Sequence, residues 1–242
     1  MESDSSHSAA FNFVEGEVLL VDKPKEWTSF DVVNKIRNRI RNVFHLKKIK
    51  VGHAGTLDPM ATGLLIICTG KDTRRLQDFQ DLPKAYAGTL LLGATTPSYD
   101  AETAVDATYP TAHITPELLE KARQQFLGPI KQLPPMFSAI KVDGQPLYKK
   151  ARKGEVVEVE PRKVEIYSFE LTRIALPEVD FVVRCSKGTY IRSLVYDLGK
   201  ALHSGAYLTA LCRTAIGPYH VDKAWQLDDL VHRIEQCGEP HL

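Results

Sequence analysis

Apolar positions along this chain recur in two rhythms, one close to alternation or continuous runs and one close to 3.6 residues, with glycine, proline and short polar residues between them. Residues 17–21 form a short apolar run and predict the first strand. Thr28-Ser29-Phe30-Asp31 has capping-box spacing, and Val32, Val33, Ile36 and Ile40 follow at helical intervals, which predicts a helix through about Arg41. Residues 64–68 are the longest clean apolar run and predict a buried strand. A short helix over 72–80, a strand over 84–93 and a polar, turn-rich loop over 95–109 come next. Thr115-Pro116-Glu117 supplies an N-cap and a proline at the first helical position of a helix ending near Gly128. Residues 132–153 begin with Pro134-Pro135, then predict a short strand over 137–142, a turn at Asp143-Gly144 and a basic helical stretch, together a protruding segment. Residues 164–174 and 179–185 read as paired strands. A helix opens at 188–192, with Ile191, Leu194, Val195, Leu198, Ala201 and Leu202 on one face. A strand over 207–216 and a helix over 227–236 complete the chain. Strands outnumber helices and many connections have hairpin length. The predicted class is α+β, a large, mostly antiparallel mixed β-sheet flanked by helices.

Composition narrows this picture. The chain has 242 residues, 43% hydrophobic and 25% charged, ordinary values for a soluble globular protein of one large or two small domains. No apolar run approaches a membrane span. Residues 1–10 are polar, with neither a basic nor an apolar signal region, so residues 1–13 are expected to be a disordered tail and the protein to be cytoplasmic. Cys68, Cys185, Cys212 and Cys237 are widely spaced, form no CxxC pair and fit a reducing compartment. The eight histidines show no metal-binding spacing, and no phosphate loop follows a strand, so neither metal nor cofactor is expected.

Net charge is only +1, yet its distribution is uneven. Between Lys23 and His53 there are nine Lys/Arg against two acids, whereas from Asp222 onward five acids face two bases. Arg37 and Arg41 lie four apart on one helix face, and Lys47 and Lys48 extend the charge. This is either a solvated face or a surface for nucleic-acid phosphates.

Beside the basic segment stands Gly52-His53-Ala54-Gly55-Thr56-Leu57-Asp58-Pro59-Met60-Ala61-Thr62-Gly63. Pro59 biases Asp58 away from the α region, and the glycines permit close backbone approach. Asp58 thus sits on a stiff turn at the entrance of a strand, either as a turn cap or as a carboxylate presented to a cleft. This string resembles the catalytic motif of the TruB family of tRNA pseudouridine synthases. Further matches occur in order at Asp22-Lys23-Pro24, Lys84-Ala85-Tyr86, Pro134-Pro135-Met136-Phe137-Ser138-Ala139, Tyr148 with Ala151-Arg152, and Cys185-Ser186-Lys187-Gly188-Thr189-Tyr190-Ile191-Arg192. The resemblance runs from about Gly16 to Leu230.

The resemblance implies the pseudouridine synthase fold and isomerisation of uridine to pseudouridine at position 55 in the T-loop of tRNA, by base flipping. It implies that Asp58 is the nucleophile, that Arg192 pairs with it, and that Tyr190 lies near C5 of the base. Tyr86 corresponds to the tyrosine stacked on the flipped uracil, Leu211 to a pocket leucine and His53 to the histidine that fills the vacated space. Lys23 and Asp100 match further positions and are expected to bind substrate. Arg37, Arg41, Lys47 and Lys48 are the expected RNA-backbone contacts. Whether Asp58 attacks C1′, abstracts a C2′ proton or adds to the base stays open. Residues 14–221 are expected to form the catalytic domain, acting on the T arm as a monomer. About twenty residues follow Val221, too few for the PUA domain that many members append, so 222–242 are expected to be a short extension. A tRNA-folding chaperone and a guide-directed synthase of dyskerin type are the rival readings.

Overall fold

A computed structural model describes residues 11–237 apart from 139, 143 and 156. The chain order begins β1 (Val18–Lys23), α1 (Ser29–Val43), β2 (Val51–His53), β3 (Thr62–Thr69), α2 (Leu76–Asp81) and β4 (Lys84–Leu92). It continues β5 (Ala94–Thr95), β6 (Ala107–Thr108), α3 (Pro116–Gln124), β7 (Gly128–Gln132), β8 (Lys141–Val142), β9 (Gln145–Pro146) and α4 (Leu147–Ala151). It ends β10 (Arg162–Ala175), β11 (Glu178–Cys185), α5 (Ile191–Ala201), β12 (Ala206–Ile216), β13 (Tyr219–His220), β14 (Trp225–Gln226) and α6 (Leu227–Gln236). The chain divides into two compact units. One holds the residues up to Leu82 and those from Thr214 onward; the other is Pro83–Arg213.

In the first unit β1 lies antiparallel to β3, from Val18 opposite Cys68 to Lys23 opposite Gly63. The short β2 also pairs with β3, and β14 runs parallel to β1. α1 is closed by a full capping box: the Thr28 side chain accepts from the Asp31 amide while the Asp31 carboxylate accepts from the Thr28 amide. Its apolar stripe, Val32, Val33, Ile36 and Ile40, joins Leu230, Val231 and Ile234 of α6 and Val21, Leu65 and Ile67 of the strands in one core cluster. Leu64, Ile66 and Cys68 point the other way, into a second cluster with Phe79 and Ile216. β3 is therefore buried on both faces, which explains why its sequence is continuously apolar rather than alternating.

In the second unit the strand order is β12-β4-β11-β10-β7. β4 and β11 are antiparallel from Lys84 opposite Cys185 to Leu91 opposite Glu178, and β11 turns back from β10. α3 has Thr115 as N-cap and proline in its first turn, as its sequence predicts. α5 is buried along most of its length.

Three expectations are corrected. The tail is shorter at its inner end, because Phe13 is buried in the α1 core, with Phe11 packed beside it and Phe44 meeting its ring edge-on. Residues 1–10 lie outside the described residues. The strand expected over 137–142 is confined to Lys141–Val142, paired with Gln145–Pro146, because the Phe137 and Ser138 carbonyls accept from the Arg192 guanidinium and the Tyr148 amide instead of from a neighbouring strand. The helix from Thr115 ends at Gln124, and Gly128–Gln132 starts a strand against β10 instead.

Candidate active site

The motif around Asp58 is a loop between β2 and β3 that is tied down at several backbone points. Gly55 and Gly63 have φ of 95° and 100°, left-handed values that other residues seldom adopt. The Ala61 amide donates to the Asp58 carbonyl at 3.1 Å, closing a four-residue turn with Pro59 at its second position. Ser29, in the first turn of α1, fixes the residue before Asp58: its hydroxyl accepts from the Leu57 amide at 2.9 Å and donates to the Leu57 carbonyl at 3.3 Å. Lys23 is fully buried, and its ammonium donates to the carbonyls of Pro24, Trp27 and Pro59 at 2.9, 2.6 and 3.3 Å. That lysine joins the loop after β1 to the turn that carries Asp58. Asp22 accepts from the Gly63 amide at 3.0 Å, the exit of the same loop. Asp58 itself is half-buried, and His53 lies half-buried at the end of β2.

The second unit holds the other expected residues. Arg192 is buried in the first turn of α5, where the helix dipole disfavours a cation. Asp100 offsets this: it is fully buried, and its Oδ2 lies 3.6 Å from Arg192 Nε. The guanidinium also donates to the carbonyls of Ser98 at 3.0 Å and Phe137 at 2.9 Å. Asp100 Oδ1 accepts from the Ser98 hydroxyl at 2.5 Å and from the Glu102 amide at 3.0 Å. Tyr190, the N-cap of α5, is clamped through its backbone, since the Gln132 side chain accepts from its amide at 2.7 Å and donates to its carbonyl at 3.0 Å. Tyr86 and Leu211 stand on the neighbouring strands β4 and β12, each largely buried, and the Thr209 hydroxyl reaches the Thr89 carbonyl between those strands. The structure therefore brings together Lys23 with the Asp58 turn, and Asp100 with Arg192.

The basic segment separates into two kinds of residue. Lys35 and Arg39 are paired with Asp228 and Glu235 of α6, each at 2.6 Å, so the acidic C-terminal stretch offsets part of the charge of α1. Arg37 is half-buried, donating to Asn34 Oδ1 at 2.7 Å and to the Val51 carbonyl at 3.0 Å; its role includes holding β2. Arg41, Lys47 and Lys48 are exposed. Beside them a cleft of about 240 Å³ is lined by Lys48, Lys50, Lys71 and Arg74. Lys71 shares its charge with Glu15 at 2.6 Å.

Sequence reasoning missed Ser29, Ser98 and Gln132, whose roles depend on groups distant in the chain. It also missed Lys71 and Arg74, which join Lys48 and Lys50 only because β2 and β3 are paired. No local signal marks any of these; only the capping position of Ser29 beside Thr28 hinted that its neighbourhood is fixed.

Comparison with known proteins places this architecture among enzymes that rearrange uridine. The fold resembles that of a solved Cbf5–Nop10–Gar1 complex with a TM-score of 0.69 and 27% identity, covering 94% of this chain and 60% of that one. The chain thus spans a little over half the length of that protein. Residues 41–191 match the TruB family pseudouridylate synthase (N terminal domain), and residues 192–239 match the tRNA pseudouridylate synthase B C-terminal domain. The chain belongs to the TruB family of pseudouridylate synthases. It is 59% identical to tRNA pseudouridine synthase B of Flavobacterium johnsoniae, over 88% of this chain and 93% of that one. It is 56% identical to the same-named protein of Phocaeicola vulgatus, over 93% and 96%.

Proposed function

We propose that this chain isomerises uridine to pseudouridine at position 55 in the T-loop of tRNA, with Asp58 as the essential carboxylate. The observation that carries the reading is the 59% identity to a tRNA pseudouridine synthase B across 88% of the chain, with Asp58 in the matched stretch. That degree of identity also favours a stand-alone tRNA enzyme over a guide-directed one.

The reaction breaks the N1–C1′ bond and forms a C5–C1′ bond. The base loses the proton on C5 and gains one on N1, so no atom is added and no electron is transferred. The target uridine leaves the stack, and the ring of Tyr86 receives the flipped uracil. Base–aromatic stacking of about 1–3 kcal/mol offsets much of the unstacking cost. Asp58, ionised, bonds to C1′, takes the C2′ proton or adds to the base; each route returns it to a carboxylate at the end. An opposite charge favours the ionised form of any carboxylate, and the family resemblance gives that role toward Asp58 to Arg192. Tyr190 assists removal of the C5 proton, Leu211 lines the base pocket, and His53 fills the place that the uridine leaves. Lys23 and Asp100, expected from the sequence to bind substrate, are fully buried and act instead by positioning. Arg41, Lys47 and Lys48, with the neighbouring basic cleft, bind phosphates of the T arm. The enzyme acts as a monomer in the cytoplasm.

The test is incubation of the purified protein with an unmodified elongator tRNA transcript, followed by mapping of pseudouridine at single-nucleotide resolution. The expected result is one new pseudouridine, at the T-loop position 55. Pseudouridine elsewhere only, or none, overturns the reading.

A further inference from the structure

Tyr99 has φ of 62°, in the left-handed region that a residue with a Cβ seldom enters. A bulky aromatic is a poor choice there unless its ring is held by something else. Its ring is stacked on that of Tyr196, with centroids 3.9 Å apart and planes 15° from parallel. Tyr196 lies on α5 one turn after Arg192, on the same helix face. Lys200, a further turn along, places its ammonium 5.6 Å from the Tyr196 ring. Tyr99 in turn sits between the two residues of its loop that face Arg192, Ser98 through its carbonyl and Asp100 through its carboxylate.

The loop is held on its other side as well. The Tyr99 carbonyl accepts from the Leu208 amide, and the Leu208 carbonyl accepts from the Ala101 amide, each at 3.0 Å. Thr96 closes it internally, its hydroxyl donating to the Asp100 carbonyl at 2.6 Å and its own carbonyl accepting from the Tyr99 amide at 3.1 Å. These bonds fix the loop to β12. On the α5 side it is met by the Tyr99–Tyr196 stack and by Arg192 itself.

We propose that the Tyr99–Tyr196 stack is a positioning device for Arg192: it seats the loop at 96–101 against α5, so that the Ser98 carbonyl and the Asp100 carboxylate meet the guanidinium in one orientation. The left-handed turn at Tyr99 is what lets a single residue send its ring to α5 while its neighbours on either side face Arg192. Its consequence for catalysis rests on the reading of Arg192 as an active-site residue.

The experiment compares Tyr196→Phe, Tyr196→Leu and Tyr99→Gly with the unaltered protein. Four quantities are measured: single-turnover pseudouridine formation on a tRNA transcript, the Kd for that tRNA, the melting temperature, and the Arg192 Nε–H resonance, assigned by its loss in Arg192→Lys. Tyr196→Phe keeps the ring and is expected to retain the rate and the resonance. Tyr196→Leu and Tyr99→Gly are expected to slow the single-turnover rate by about tenfold or more, since small misplacements of catalytic groups are costly. Their Kd stays within a few-fold, and the Nε–H resonance shifts or broadens. Glycine suits the backbone at 99, so Tyr99→Gly removes the ring without adding strain. Retention of both rate and resonance in the two ring-deleting variants overturns the proposal. So does an equal loss in Tyr196→Phe, or a fall in rate matched by a fall in tRNA binding and melting temperature. If the resonance responds as expected while the unaltered protein forms no pseudouridine, the positioning role stands and the assigned reaction fails.

Discussion

Backbone bonds on either side of Asp58 hold its turn in place. The turn to Ala61, the Ser29 hydroxyl on Leu57 and the Lys23 ammonium on Pro59 each hold a main-chain group beside it. Asparagine has nearly the same shape and can keep all three, while losing the negative charge. Asp58→Asn should therefore abolish turnover and leave tRNA affinity within a few-fold, as read by single-turnover kinetics and filter binding. Substantial pseudouridine formation by this variant means that another group is the nucleophile. Lys23 is a different case. It is fully buried with its ammonium donating to three carbonyls, and a methionine of similar length leaves those carbonyls without that donor. The expected cost of Lys23→Met is roughly 2 kcal/mol or more, since each unsatisfied buried group costs about 1–3 kcal/mol. At about 2–4 °C per kcal/mol for a chain of this size, the melting temperature should fall by at least about 4 °C. An unchanged melting curve would remove Lys23 from its anchoring role.

At the scale of elements, α1 and the loop after it divide the positive charge by partner. Lys35 and Arg39 face carboxylates of α6, whereas Arg41, Lys47 and Lys48 are exposed. Replacing Arg41, Lys47 and Lys48 by glutamine should flatten the salt dependence of tRNA binding by about 0.7–0.9 in log–log slope for each phosphate no longer neutralised. Replacing Lys35 and Arg39 should change the slope much less, because those cations already have acidic neighbours. Equal effects of the two sets would show that the α6 pairs open when RNA binds. α1 was legible in the sequence down to its N-cap, because the capping box and the stripe of Val32, Val33, Ile36 and Ile40 are local signals. β3, β4, β10, β11 and α5 were legible for the same reason. β7 was not: Gly128-Pro129-Ile130-Lys131-Gln132 has little strand character, and only its pairing with β10 makes it one. The parallel β1–β14 pairing joins segments some 200 residues apart, with Val21 opposite Trp225, and leaves no periodic trace in either. The candidate site follows the same division. Asp58, Tyr190 and Arg192 were legible through their motifs, whereas the Asp100–Arg192 ion pair and the Gln132 clamp on Tyr190 depend on long-range packing.

The molecule as a whole carries a net charge of only +1. A chain so close to neutral exerts no strong long-range pull on RNA, and at physiological salt its local charges are felt over about 8 Å. Attraction to tRNA must therefore come from phosphates that touch the basic segment directly. A T-arm hairpin brings both the stem phosphates and the uridine that is to be flipped, which is where shape and base recognition of RNA concentrate. The remote arms of the tRNA add charge that this protein has little means to sense. An isolated T-arm hairpin should thus be modified with a kcat/KM within about tenfold of whole tRNA, and the difference should lie mainly in KM, since the missing arms could contribute to binding alone. The measurement is a parallel kinetic series on the two substrates at the same salt concentration. A drop of several hundredfold on the hairpin, about 3.5 kcal/mol at 1.36 kcal/mol per tenfold, would require interactions far from the T arm. If that drop appeared in kcat rather than KM, those interactions would be contributing to the chemical step and not to affinity alone.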